Sequence, residues 1–142
     1  KPIVTNRRCN GKKYIYSTKN TIYKISTLPL KDEIMMQILT TDYVNNSNIK
    51  VKIPKIKWWS NYNNITIIAM EKAPAKKFKN NPKLYKRIQS IANELNKHNI
   101  YHNDWHKGNI LYDDVADDLW LIDFGEATTT PNRITNLTKF LA

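Results

Sequence analysis

Tyr101-His102-Asn103-Asp104-Trp105-His106-Lys107-Gly108-Asn109-Ile110-Leu111 and, beyond an acidic turn, Leu121-Ile122-Asp123-Phe124-Gly125-Glu126 carry the densest chemistry in the chain. Ile110 to Tyr112 and Leu119 to Ile122 have the branched and aromatic residues of short strands, and Asp113 to Asp118 between them has the composition of a turn. Two strands joined in this way form a hairpin. The loop that enters it and the loop that leaves it then lie at one end, which brings Asp104, Asn109 and Asp123 together.

The pattern extends outward from this hairpin. Asn80-Asn81-Pro82 supplies a capping amide and a first-turn proline, and Leu84, Ile88, Ile91, Ala92 and Leu95 then repeat at helical spacing, which predicts a helix over residues 82–97. Further upstream, Tyr14, Tyr16, Ile22, Tyr23 and Ile25 around the polar turn Ser17 to Asn20 predict a β-hairpin. Lys31 to Tyr43 reads as a short amphipathic helix with Ile34, Met35, Ile38 and Leu39 as its apolar stripe and Asp32 and Glu33 in its first turn. Trp58-Trp59, the turn Ser60 to Asn64 and the apolar run Ile65 to Met70 predict a second hairpin with one buried strand. A last short helix is expected near Asn132 to Leu141. The sum is an α+β chain with strands in its first half and helices around a small hairpin in its second.

At 142 residues the chain has the size of one domain, and 41% hydrophobic with 25% charged residues is the balance of a globular protein. The lone Cys9 excludes an internal disulfide and fits a reducing compartment. His98, His102 and His106 stand four apart but straddle a helix end and a loop, a poor zinc geometry. No apolar run reaches membrane-spanning length, so the expectation is a soluble protein without a membrane partner, located in the cytoplasm or nucleus. A net charge of +11 favours acidic proteins or nucleic acid as partners. The abundance of lysine, asparagine and isoleucine also matches an AT-rich genome, such as those of many large DNA viruses and some parasites, so codon bias is an alternative source for part of the charge.

The two quoted stretches resemble the catalytic loop, H-x-D-x-x-x-x-N, and the Asp-Phe-Gly segment of the protein-kinase-like superfamily. That resemblance implies a two-lobed fold over residues 1–142, with a β-rich N-lobe to about residue 72 and a strongly reduced helical C-lobe after it. It implies ATP with magnesium, or manganese, between the lobes. Asp104 takes the place of the residue that accepts the substrate proton, and Asn109 and Asp123 those of the metal ligands. Lys24 in Tyr23-Lys24-Ile25 resembles the strand lysine that steadies the α and β phosphates, with Glu33 as its ion-pair partner. Met70 falls behind the adenine, Glu71 to Ala73 at the hinge, and Leu111 and Ile122 on the nucleotide pocket.

The sequence departs from that family in four places. Gly11 is the lone glycine before the catalytic loop, so the glycine-rich phosphate loop is replaced by Arg8-Cys9-Asn10-Gly11-Lys12-Lys13, with Lys12 or Lys13 as phosphate contacts. Asn103 stands where arginine reads a phosphorylated activation loop. His106 stands where protein kinases keep lysine, as in aminoglycoside and choline phosphotransferases and some atypical kinases. Only a short tail follows Gly125, with no Ala-Pro-Glu segment. Compact atypical kinases of the RIO and KEOPS-complex types are therefore the nearer comparison.

Three readings follow. The first is a minimal serine/threonine protein kinase acting on a protein substrate. The second is a small-molecule phosphotransferase, from the Asp-x-His-x-Gly-Asn wording of the loop. The third is a non-catalytic mimic or regulatory subunit that binds a larger kinase or an RNA-processing complex, and a partner protein that completes the C-lobe accords with it. Nucleic-acid contact through Trp58, Trp59 and Tyr62 could accompany any of them, set against a plain basic surface with the tryptophans packed on their hairpin.

Overall fold

The computed structural model describes residues 3–4, 12–78 and 81–131, the first pair as backbone. The segment Arg8 to Gly11, Asn80 and the helix expected at 132–141 lie outside the described residues. Five antiparallel strands form the upper layer: β1 (Ile3–Val4), β2 (Lys13–Ser17), β3 (Thr21–Ser26), β4 (Ile56–Tyr62) and β5 (Ile65–Glu71), in the spatial order β1-β2-β3-β5-β4. The fully buried Ile68 and Ala69 explain why β5, the most apolar run in the chain, sits between two other strands while polar β4 takes the edge. A second sheet, ordered β6-β7-β8, combines β6 (Lys76–Lys77), β7 (Ile110–Asp113) and β8 (Asp118–Leu121).

Among the described residues, two α-helices pack against these sheets. In α2 (Pro82–Lys97) the Asn81 side chain accepts from the Lys83 N–H at 3.0 Å and Pro82 occupies the first turn, so the capping signal read from sequence sets the boundary. Its buried residues are the expected Leu84, Ile88, Ile91, Ala92 and Leu95. They meet Trp105, Ile110, Leu119, Leu121 and Phe124 in the larger of two cores. Arg87 of α2 pairs with Asp117 at 2.7 Å, and Tyr112 donates to the same carboxylate, which anchors the β7–β8 turn on the helix.

The first helix, α1 (Lys31–Asn45), is rotated from the expectation. Met35, Ile38 and Leu39 are exposed, and the buried side chains are Glu33, Ile34, Met36, Gln37, Thr40 and Val44. Positions 33, 37, 40 and 44 are one helical face, so the helix turns a largely polar stripe inward. The reason is tertiary: Lys24 lies buried in β3 at that interface and holds Glu33 inside, while Gln37 donates to the Pro54 carbonyl at 2.7 Å. After α1 the chain crosses to the lower layer, where Lys52 exchanges backbone hydrogen bonds with Leu119 and Leu121 at 2.8 and 2.9 Å. Val51 and Ile53 thereby join the lower core before the chain returns to β4. The fold is α+β and two-lobed, with a β-rich upper lobe and few helices below.

Candidate active site

A cleft of about 590 Å³ separates the two layers. Lys24 enters it from the middle of β3, on the face of the sheet that looks toward α1. Its ammonium lies 2.5 Å from Glu33 Oε2 and 3.6 Å from Asp123 Oδ1. Burial opposes the charge on Lys24, yet Glu33 and Asp123 outweigh it and hold the ammonium above the usual lysine range. Lys13, two residues from the register partner of Lys24 and on the same face, brings a second ammonium to 3.7 Å from Glu33 Oε1. Two cations from adjoining strands thus converge on one buried carboxylate.

The floor is built by the loop before β7 and the turn after β8. Asn109 accepts the Ile122 N–H through its backbone carbonyl at 3.0 Å, which clips the two segments together and sets Asp123 beside Asn109. The Asn109 Nδ2 donates to the Asp104 carbonyl at 2.9 Å and to Asp104 Oδ2 at 3.0 Å. His106 Nε2 lies 3.5 Å from Asp104 Oδ1, and its Nδ1 accepts from the Gly108 N–H at 3.0 Å. A β-carbon at Gly108 would stand 2.8 Å from the His106 ring, so the glycine of the Asp-x-His-x-Gly-Asn stretch lets that ring fold back over the loop.

His102 supports this floor from beneath. It is fully buried, with its Nε2 donating to the Ile122 carbonyl at 2.9 Å and its Nδ1 accepting from the Asp104 N–H at 3.2 Å. This assignment of the ring proton fits a neutral imidazole. Burial accordingly pushes its pKa below the ordinary histidine value. Its ring packs edge-on against Phe124, with centroids 5.1 Å apart, so the histidine of one motif and the phenylalanine of the other are in direct contact.

Asn103 and Asp123 both adopt left-handed backbone, at φ 65° and 61°, a conformation asparagine and aspartate tolerate better than most residues. Burial works against charge on the Asp123 carboxyl. The Lys24 ammonium, the Gly125 N–H and Lys13 outweigh it and hold the group below the usual carboxylate range. Gly125 lies where a side chain would crowd Asp123 Oδ1 and Glu33 Oε1, each 3.2 Å from its β-carbon position.

Of the residues singled out from sequence, Lys24, Met70, Glu71, Ala73, Asp104, Asn109, Leu111, Ile122 and Asp123 all line this cleft. Glu33 lies just behind Lys24. Met70, with Ile22, Leu111 and Ile122, gives the inner end apolar walls. Three contributions were not drawn from the sequence. Gln37, 3.7 Å from the Met70 sulfur, lines the inner end, but a glutamine in a helix carries no motif. Pairing of Lys13 with Glu33 depends on strand register. Asn103, read only as a missing arginine, donates to the Glu126 carbonyl at 2.9 Å and to Thr128 Oγ1 at 2.8 Å, tying down the chain beyond Gly125.

Comparison with solved structures finds the same fold in other proteins. The structure of the Cydia pomonella granulovirus kinase PK-1 superposes with a TM-score of 0.60 at 20% identity, covering 89% of this chain and 52% of that one. Monomeric WbdD superposes with a TM-score of 0.60 at 17% identity, covering 89% of this chain and 34% of that one. A co-crystal structure of WbdD with the kinase inhibitor LY294002 gives 0.58 at 17% identity. The chain therefore spans about half the length of one neighbour and a third of the other. No curated protein matches it in sequence. A family model, the ABC1 atypical kinase-like domain, matches residues 28–142, from the residues before α1 through the catalytic-loop and Asp-Phe-Gly stretches. With most of its length inside that model, the chain belongs to the ABC1 atypical kinase-like domain family.

Proposed function

We propose that the protein is an ATP- and magnesium-dependent phosphotransferase that passes the γ-phosphate to a serine or threonine hydroxyl of a protein. The observation that carries this reading is the convergence of Asp104, Asn109 and Asp123 on the floor of a cleft whose roof presents Lys24. Each has a distinct task. Asp104 orients the attacking hydroxyl and accepts its proton as the new oxygen–phosphorus bond forms and the bond to the nucleotide breaks. Lys24, held by Glu33, steadies the phosphates.

The donor set suits a divalent cation. Asn109 spends its amide N–H groups on Asp104, so its carboxamide oxygen is the atom it offers, and Asp123 adds a carboxylate that Lys24, the Gly125 N–H and Lys13 hold below the usual carboxylate range. Magnesium, or manganese in its place, neutralises phosphate charge when bound there. Met70, Leu111 and Ile122 supply the apolar walls for the adenine, with the Glu71 to Ala73 backbone at its edge. Lys13 takes the phosphate-holding task of the absent glycine-rich loop, because it already reaches the Lys24–Glu33 pair.

The open floor favours a protein substrate. The Asp104 and His106 side chains are 35% and 46% exposed, so a hydroxyl protruding from a larger surface can reach them. Compact kinases of the RIO and KEOPS types are the working comparison for such a site. Asn103 makes neutral hydrogen bonds where an arginine would await a phosphate, so activity is independent of phosphorylation in the segment after Gly125. Phosphatase treatment that abolishes transfer would refute that point.

Single-turnover transfer from γ-labelled ATP tests the whole reading, with the wild type, Asp104→Asn and Asp123→Ala compared on protein acceptors. Label on protein that disappears in both variants supports it. Nucleotide binding without label on any protein shifts the assignment to a small-molecule phosphotransferase or a regulatory mimic. Those two separate on whether Asp104→Asn retains the biological effect.

A further inference from the structure

The five-stranded sheet has a second face, turned away from the cleft, that the proposed chemistry does not use. Strand register assigns its residues. Tyr16 pairs with Tyr23, Tyr23 with Ala69, and Ala69 with Trp58, so these four cross the sheet as one row. Tyr14 lies in the next row, and Tyr62 pairs with Ile65 at the far end of the β4–β5 hairpin. Trp59 pairs with Ile68 and therefore belongs to the opposite face, so the adjacent tryptophans do not form a single platform.

The aromatic row is ordered and accessible together. Tyr23 and Trp58 approach to 6.2 Å between centroids, and Ala69 between them is fully buried. Trp58 is nevertheless 48% exposed and Tyr62 75% exposed, so ring faces remain open to solvent. Lysines surround the row. Lys57 reaches back to Thr21 Oγ1 at 2.7 Å and Lys72 to the Thr18 carbonyl at 3.1 Å, and with Lys19 they crowd the β2–β3 turn. Across residues 12–27 and 55–72 the one acidic residue is Glu71, whose carboxylate accepts the Lys55 N–H at 3.2 Å.

Open aromatic faces at strand spacing, with positive charge along the margin and almost no negative charge, are complementary to a chain that carries flat bases and one phosphate per base. An apolar protein surface would use the rings but gain nothing from the lysines. Duplex would hide its bases from the rings. The tyrosine hydroxyls at the ring edges, together with Ser60 on the same face, can donate to and accept from a ribose 2′-hydroxyl. We infer that the outer face of this sheet binds single-stranded RNA, stacking bases on Trp58, Tyr23, Tyr16 and Tyr62 while the lysines at the β2–β3 turn hold the backbone.

Fluorescence anisotropy of a labelled oligouridine, titrated with the full chain at several salt concentrations, tests this. Binding is expected to weaken steeply with salt, and Trp58→Ala or Tyr62→Ser each to weaken it about tenfold. The exposed Lys19→Glu should flatten the salt dependence without removing the stacking contribution. Trp59→Ala, on the other face, should leave affinity unchanged. Unaltered circular dichroism and ATP binding in each variant establish that the fold persists, since none of these residues lines the cleft. Equal affinity of Trp58→Ala, Tyr62→Ser and wild type would overturn the stacking site and reduce the interaction to diffuse charge. Tighter binding of the matched DNA strand or duplex, or no binding at moderate salt, would overturn the assignment to single-stranded RNA.

Discussion

Lys24 and Asp104 face the same cleft from opposite sides, yet they sit in different media. Lys24 is enclosed with Glu33, and each charge answers the other at 2.5 Å. Asp104 sits at an open rim, its carboxylate held by a buried asparagine and approached by a half-exposed histidine. An ion pair in a dry setting has few alternatives, because separating it strands a charge without water. The roof is thereby held in one geometry by electrostatics, while the floor takes its geometry from backbone clips and leaves the Asp104 carboxylate partly accessible. Stability and reactivity are divided between the two sides, and variants should separate them.

The widest separation is expected at Asp104. Replacement by asparagine keeps the shape and should lower single-turnover transfer by about 10² to 10⁴-fold. Its thermal midpoint should stay within a few degrees of the wild type, because an asparagine at this partly exposed position keeps an oxygen to accept from Asn109 Nδ2 and the change costs only about 0.5 kcal/mol. A large loss of stability would break the contrast between floor and roof. Lys24→Met is the mirror case. It leaves Glu33 buried without its near partner and should lower unfolding free energy by about 3 to 5 kcal/mol in urea titrations. Lys13, at 3.7 Å, sharpens the test. If it takes over Glu33, the loss in Lys24→Met will be smaller than in the Lys13→Met, Lys24→Met double variant by more than the effect of Lys13→Met alone.

A smaller effect is expected at Gly108→Ala, where the new methyl would meet the His106 ring at 2.8 Å. Turning that ring outward relieves the contact, so stability should hold while transfer falls up to about 10²-fold through a displaced loop. Unchanged kinetics would show that the position of His106 is immaterial.

The smallest effect is a pH dependence of stability from His102. Its folded pKa is held below the ordinary value by burial, so as pH falls the unfolded chain takes up this proton first. Stability should therefore decline as pH drops below about 6.5, and go on declining until the folded pKa is reached. His102→Gln, less stable throughout, should lack that part of the slope in melting curves. An identical slope in both proteins would assign it elsewhere.

Much of the fold was legible because local signals and tertiary demands coincide. Asn81-Pro82 starts α2 where capping chemistry places it, and the strands from Ile110 and to Leu121 follow their β-formers. Where the two conflict, sequence reasoning fails. The apolar spacing in α1 pointed to Ile34, Met35, Ile38 and Leu39 as the buried stripe; Ile34 is buried, and the buried pair between Lys24 and Glu33 turned the other three outward. A pattern of hydrophobicity records what each residue prefers in isolation, and it has no access to a charge arriving from another strand. Short β6 was missed for a related reason: Lys76 and Lys77 have no strand character of their own and pair because β7 presents a free edge.

By itself the sequence determined which groups are present: Asp104, Asn109, Asp123 and Lys24, in an order and spacing that make them members of one constellation. Those are covalent facts, and a hairpin between Asn109 and Asp123 is dictated by the residues that join them. Only the tertiary structure decided what surrounds that chemistry. It brought Lys13 beside Glu33, set Gln37 against Met70, made Asn103 a staple for Glu126 and Thr128, and divided Trp58 from Trp59 between two faces of one sheet. Each of these depends on strand register, helix rotation or the docking of one loop on another, which the whole core selects by minimising buried charge and unfilled space.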